Sequence, residues 1–160
     1  MKKTVVDVSD VRFSRDAEEA LLAPSLGSCV AVSVYDASNG AGGLVIYMLP
    51  NTEEMAFTAS DDHPFMFADT AIPHFLRAAE AFGLSKETMT VGVVGGGQML
   101  GQAGRSDVGG RNSAMARRLL AEMGITPQRV DVGGRRNRTL CLRIADGEIQ
   151  VDVAGQSLER

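Results

Sequence analysis

The sequence has few aromatic residues, no tryptophan and only two cysteines. Aromatic residues make up 5% of its 160 residues and hydrophobic residues of all kinds make up 44%, so the core must be mainly aliphatic. Cys29 and Cys141 lie far apart, and only two histidines occur in the chain. Because zinc sites use closely spaced cysteine and histidine ligands, this pattern argues against a structural metal site, and no cofactor is predicted.

Positive charge is also scarce. Lysine and arginine together number 16 against 20 acidic residues, which gives a formal net charge of -4. Nucleic-acid-binding proteins usually carry a basic surface, so the composition argues against that class, although Arg135, Arg136 and Arg138 form a local basic group. The basic N-terminus is followed by no signal-peptide core, and no run of about 18 apolar residues occurs. We therefore expect a cytoplasmic protein with reduced thiols and no membrane insertion.

The length predicts a single domain over residues 1–160, and the hydrophobic pattern predicts an α+β fold. The first helix is expected to be capped by Asp69 or Thr70 and to stop at Gly83. The second is expected to open at Asn112 or Ser113. About seven short strands are predicted. They are Thr4–Val8, Ser28–Tyr35, Gly43–Leu49, Met89–Val94, Arg129–Val132, Thr139–Ile144 and Glu148–Val153, with a further candidate at Val11–Ser14 and a hairpin turn at Asp146–Gly147.

Gly95, Gly96 and Gly97 follow a predicted strand and could suggest a phosphate-binding loop. The details exclude the standard motifs. Gln102 stands where a phosphate loop needs lysine, and Leu100 stands where the dinucleotide motif needs its last glycine. The three glycines are therefore predicted to form a structural turn that binds no nucleotide.

Cys29 follows Gly-Ser at the start of a predicted strand, a position where it could act as a nucleophile. A thiol with an ordinary pKa of about 8.5 is mostly protonated at neutral pH, so catalysis would require a base or a positive field. No histidine occurs near Cys29 in sequence; His63 and His74 are the only two. An inert cysteine packed among apolar neighbours remains the alternative, because cysteine is often buried as a small hydrophobic residue.

Six segments of the chain resemble the CheD family of chemotaxis receptor glutamine deamidases. In order, they are LGSCVAVSVYD, GGLVIYMLP, FADTAI, VVGGGQML, VGGRN and DVGGRRNRTL. The resemblance as a whole covers nearly the entire chain, from about Val6 to Val151. The resemblance implies a layered α+β domain of packed mixed β-sheets with two main helices, related to toxin deamidases. It also implies a hydrolase that converts receptor glutamine to glutamate. The implied partners are the chemoreceptor cytoplasmic domain and a CheC-type phosphatase.

The resemblance also assigns catalytic positions. The family nucleophile corresponds to Cys29, but the family histidine corresponds to Ile46 and the supporting threonine to Ala23. Neither replacement can accept a proton, so the chain is predicted to be a pseudoenzyme that binds receptors, a CheC-type phosphatase or both. One alternative is an active deamidase in which Cys29 uses His63 as a substitute base. Another is an unrelated cysteine hydrolase on the same fold.

Overall fold

The structure is a computed structural model that describes residues 1–52, 63–99 and 107–154. These ranges contain two helices, α1 (Ala68–Phe82) and α2 (Val108–Glu122). Neither described helix is long and apolar enough to cross a membrane. The same ranges contain nine strands: β1 (Lys2–Val5), β2 (Asp10–Ser14), β3 (Glu19–Leu26), β4 (Val30–Asp36), β5 (Ala41–Tyr47), β6 (Thr90–Gly95), β7 (Arg129–Val132), β8 (Arg138–Arg143) and β9 (Ile149–Val153).

The strands form two mixed sheets. The four-stranded sheet has the order β1-β3-β8-β9, and the five-stranded sheet has the order β2-β5-β4-β6-β7. The pairs β1–β3 and β6–β7 are parallel, and all other pairs are antiparallel. The chain passes from the first sheet to the second between β3 and β4. That crossing contains Cys29.

Two apolar clusters divide the fold into three layers. One cluster lies between the helices and the five-stranded sheet and contains Val30, Val32 and Phe75. The other lies between the two sheets and contains Ala31, Ile46 and Leu140. Strands β4 and β5 are buried along their whole length because both of their faces are covered. The predicted α+β fold of packed mixed sheets with two helices is confirmed.

Both helices begin earlier than predicted. Helix α1 starts after Phe67, and Asp69 does not cap it but accepts hydrogen bonds from the backbone and side chain of Thr52. Helix α2 starts after Asp107, whose carboxylate accepts from the N–H of Gly110. The predicted caps were wrong, because short polar side chains can bond to distant groups as readily as to a helix end. The predicted stop at Gly83 is confirmed by its left-handed backbone, with φ of 112°.

Strand β3 was missing from the sequence prediction. It contains Pro24, which lacks the N–H that a sheet ladder needs, and its register with β8 shifts between Ala23 and Leu26. A proline within a short apolar segment argues against a strand in a sequence-based prediction. Here the shift in register between β3 and β8 falls at that proline. The strand matters for function because it carries Ala23 and ends directly before the turn that contains Cys29.

Candidate active site

The three positions of the implied catalytic set meet in the cluster between the two sheets. Ala23 belongs to β3 and is 0% exposed, and Ile46 belongs to β5 and is 1% exposed. Cys29 is half-buried and packs against the same cluster. The structure therefore brings together residues that are far apart in sequence, and it packs Cys29 against a mainly aliphatic cluster.

The glycine-rich turn holds the backbone of Cys29. The N–H of Gly96 donates to the carbonyl of Cys29 at 2.9 Å, and the N–H of Gly97 donates to the carbonyl of Gly27 at 2.8 Å. Gly95 has φ of 119°, and a Cβ atom on it would lie 2.3 Å from the carbonyl oxygen of Cys29. Only glycine fits this close approach. The N–H groups that a phosphate loop would offer to a ligand are directed here to the cysteine turn.

Asn112 is a further residue of the site. Its Nδ2 donates to the carbonyl oxygens of Ser28 and Met48, both at 2.9 Å. The hydroxyl of Tyr47 donates in turn to the carbonyl oxygen of Asn112 at 2.6 Å. Sequence reasoning placed Asn112 at the start of a helix and missed this role. The segment VGGRN, one of those that carry the family resemblance, was the available signal.

The electrostatic surroundings do not activate the thiol. Burial raises the pKa of Cys29 above its ordinary range, and the opposing hydrogen bond from the residue's own backbone N–H does not offset this effect. Burial, and then the charge that Cys29 would carry as a thiolate, also raise the pKa of Tyr47. Desolvation disfavours a charged group, so both side chains are held in their neutral forms.

His74 belongs to helix α1, and His63 precedes that helix. His74 lies on the exposed face of α1, where its Nδ1 bonds to the carbonyl oxygen of Thr70 at 2.7 Å and its ring packs edge-on against Phe65. His63 is exposed, and its carbonyl oxygen accepts from the N–H of Met66. The use of His63 as a substitute base stays a prediction.

The local basic group is partly used inside the fold. Arg138 is buried, and its guanidinium bonds to Asp131 at 3.0 Å and to the carbonyl oxygen of Gly95. Arg135 and Arg136 are exposed. Within residues 1–52, 63–99 and 107–154, no three potential ligand side chains lie close enough together to hold a metal ion.

Comparison with known proteins gives the family. Residues 48–153 match the family described as CheD chemotactic sensory transduction. The chain is 35% identical over 158 residues to "Probable chemoreceptor glutamine deamidase CheD 1" of Syntrophus aciditrophicus (strain SB), covering 99% of this chain and 98% of the relative. It is 31% identical to "Probable chemoreceptor glutamine deamidase CheD" of Solibacter usitatus (strain Ellin6076), covering 99% and 94% of the two chains. The chain belongs to the CheD family.

Proposed function

We propose that this chain binds the cytoplasmic domain of chemoreceptors, a CheC-type phosphatase or both, with its glutamine deamidase activity lost or much reduced. The receptor part rests on the names of the relatives, which describe chemoreceptor glutamine deamidases. The loss of activity rests on one observation. The Cys29 thiol packs against an apolar cluster in which Ile46 and Ala23 take the places that the family gives to a histidine and a threonine.

Deamidation requires a base beside the cysteine. A thiolate attacks the carbon of the glutamine carboxamide, and the resulting intermediate expels ammonia once a proton reaches the nitrogen. Water then hydrolyses the thioester, which leaves a glutamate and restores the thiol. One group must take the thiol proton and deliver a proton to the leaving nitrogen, and such a group typically contributes about 10²–10⁴-fold in rate.

The Cys29 site supplies too little thiolate for this reaction. A thiol with a pKa of 9.0 is about 1% ionised at pH 7, and burial reduces that fraction further for Cys29. Isoleucine and alanine can neither accept a proton nor hold a histidine ring in position. The chemistry is therefore impaired at the proton-transfer step, before any contact with the substrate is considered.

The turn that carries Cys29 is held by several hydrogen bonds. The turn from Gly27 to Cys29 is held by Gly96, Gly97 and Asn112, as a substrate-facing turn would need to be. The match to the family over residues 48–153 begins after Cys29 and Ile46 and covers both described helices. We take this ordered turn, together with the family match, as support for a binding function.

Binding and deamidation can be tested in one experiment. The purified chain is incubated with a receptor cytoplasmic fragment, and complex formation, ammonia release and the mass of the fragment are measured. We expect saturable binding and no gain of the roughly one dalton that converts a carboxamide to a carboxylate. A CheD relative that has a histidine at the position of Ile46 is the positive control. A parallel titration with a CheC-type phosphatase tests the second partner.

Three outcomes would contradict the proposal in different ways. Deamidation by the parent chain that disappears in Cys29→Ala would make the chain an active enzyme, and His63→Ala would then test the substitute base. Absence of binding to both the receptor fragment and the phosphatase would remove the binding function. A small amide hydrolysed by the parent in a Cys29-dependent reaction, without receptor binding, would favour an unrelated cysteine hydrolase.

A further inference from the structure

Asn112 connects two backbone segments at a point where the sheet no longer connects them. The ladder between β4 and β5 ends with Val30 opposite Tyr47. Ser28 and Met48 lie just beyond this last pair, and Nδ2 of Asn112 donates to the carbonyl oxygens of both. The carboxamide of Asn112 therefore joins the segment before β4 to the segment after β5, directly beside Cys29.

Asn112 is itself firmly held. Its side chain is 0% exposed, and its backbone carbonyl accepts the hydrogen bond from Tyr47 at 2.6 Å. Tyr47 precedes Met48 on the same strand, so helix α2 and the end of β5 are joined in both directions. Because burial raises the pKa of Tyr47, the hydroxyl keeps the proton that it donates.

The arrangement leaves Asn112 with an unsatisfied polar atom. Its Oδ1 is buried and has no hydrogen-bond partner in the part of the chain that the structure describes. A buried acceptor without a partner destabilises the fold. An apolar side chain would avoid that cost but would leave the carbonyls of Ser28 and Met48 without their donor. The two bonds from Nδ2 are therefore the physical reason for an asparagine here.

The three carbonyl groups of the cysteine turn each have a fixed donor. Gly97 and Gly96 hold the first and third through backbone N–H groups, and Asn112 holds the second, that of Ser28. Of these three donors, only the one from Asn112 is a side chain. It is also the donor that approaches from the helix layer, and the two glycines approach from the end of β6.

We propose that Asn112 is the positioning residue of the Cys29 site. By fixing the Ser28 carbonyl to the end of β5, it holds the thiol against the apolar cluster between the sheets. The position of the turn then determines how much solvent reaches the sulfur and how readily it ionises. This inference concerns the thiol itself, and it holds whether or not the chain deamidates receptors.

The test compares Asn112→Ala with Ser113→Ala. Ser113 is the neighbouring buried polar residue of α2, and its hydroxyl donates only within the helix, to Gly110. The rate of reaction of Cys29 with a small disulfide reagent is measured from pH 6 to 9 by mass spectrometry, and half-buried Cys141 serves as an internal reference. In Asn112→Ala, we expect the Cys29-to-Cys141 rate ratio to rise at least about tenfold and the pH profile of Cys29 to move to lower pH, because the released thiol becomes solvated. Ser113→Ala should change neither.

An equal acceleration of Cys29 and Cys141 in Asn112→Ala would mean that the protein opens as a whole, and it would overturn the proposal. An unchanged ratio with an unchanged pH profile would also overturn it.

A separate NMR measurement tests the same proposal without substituting Asn112. In a Cys141→Ser background, attachment of a methylthio group to Cys29 should shift the side-chain NH₂ signals of Asn112 in an NMR spectrum. Those of Asn39, which bonds to Asp36 and Gly83 instead, should not move. If the Asn112 signals stay in place, the side chain does not sense the thiol position and the proposal fails.

Discussion

Ile46 lies directly opposite Ala31 on neighbouring antiparallel strands. Directly opposed residues point to the same face of a sheet, which here is the face toward the other sheet. Cys29 precedes Ala31 by two residues and packs against the same cluster. A side chain at position 46 is therefore directed into the layer that contains the thiol, which makes this the position at which to test whether an added base restores deamidation.

The double substitution Ile46→His with Ala23→Thr should produce measurable deamidation of a receptor fragment, and the parent should show none or much less. Position 46 faces the cluster against which Cys29 packs, and a well-placed base contributes about 10²–10⁴-fold. Burying an imidazole in an apolar cluster should reduce the free energy of unfolding by roughly 1–3 kcal/mol. Ammonia release and the mass of the fragment report the reaction.

The same double variant with Cys29→Ala is the control for this prediction, and it should be inactive. If the double variant is folded and binds the receptor but does not deamidate it, the loss of activity extends beyond the two side chains. Binding of the receptor by the parent separates this outcome from a failure of recognition.

Gly95→Ala should destabilise the protein by at least about 3 kcal/mol, well above the usual effect of one substitution. Its Cβ would lie 2.3 Å from the carbonyl oxygen of Cys29, and its φ of 119° is rarely adopted by other residues. Gly124 is a matched control, since its φ of 73° is also positive but a Cβ there meets no atom within 4 Å. Gly124→Ala should cost only about 1–2 kcal/mol. Urea unfolding measures both, and equal losses would contradict the close approach at Gly95.

The chain should show no thermal stabilisation by ATP, GTP or NAD. The N–H groups of Gly96 and Gly97 already donate to the cysteine turn, so they are not available to phosphate oxygens. Any ligand that binds the native state raises the melting temperature in a saturable manner. A titration with and without Mg²⁺ measures this, and a saturable rise that Gly96→Ala abolishes would prove the prediction wrong.

Asp36→Asn should destabilise the protein at pH 7 and have a smaller effect in acid. Burial alone would raise the pKa of this carboxyl, but hydrogen bonds from Ser38, Ser85, Asn39 and Thr88 outweigh it and hold the pKa well below its ordinary value of 3.8. Because the folded pKa is the lower one, the carboxylate stabilises the fold above about pH 4 and loses that contribution as the pH falls further. Asparagine would instead point an NH₂ group at these donors.

Urea unfolding of the parent and Asp36→Asn at pH 7, 5 and 3 tests this expectation. We expect a difference of about 1–3 kcal/mol at pH 7 and 5 that shrinks at pH 3. Asp152→Asn, which removes an exposed carboxylate, controls for the change in net charge. A difference that stays constant between pH 7 and pH 3 would show that the Asp36 carboxylate does not carry the effect.

The sequence by itself determined the fold class and most of the elements. Strand β7 has the predicted limits, Arg129–Val132, and the predicted turn at Asp146–Gly147 connects two paired strands. These features depend on residues that are close in sequence, through hydrophobic alternation and the backbone freedom of glycine. The family resemblance depended on local segments too, which is why it could be stated without a structure.

Only the tertiary structure decided how those segments meet. The hydrogen bonds from Asn112 to Ser28 and Met48 span 84 and 64 positions of the chain, and local pattern carries no information about them. The same is true of β3, whose proline hides a strand that is stabilised by pairing with β1 and β8. Long-range contacts are selected by the free energy of packing the whole chain, which outweighs local preference. The environment of Cys29 is such a product, because it combines the cluster between the sheets, the glycine turn after β6 and Asn112 of α2.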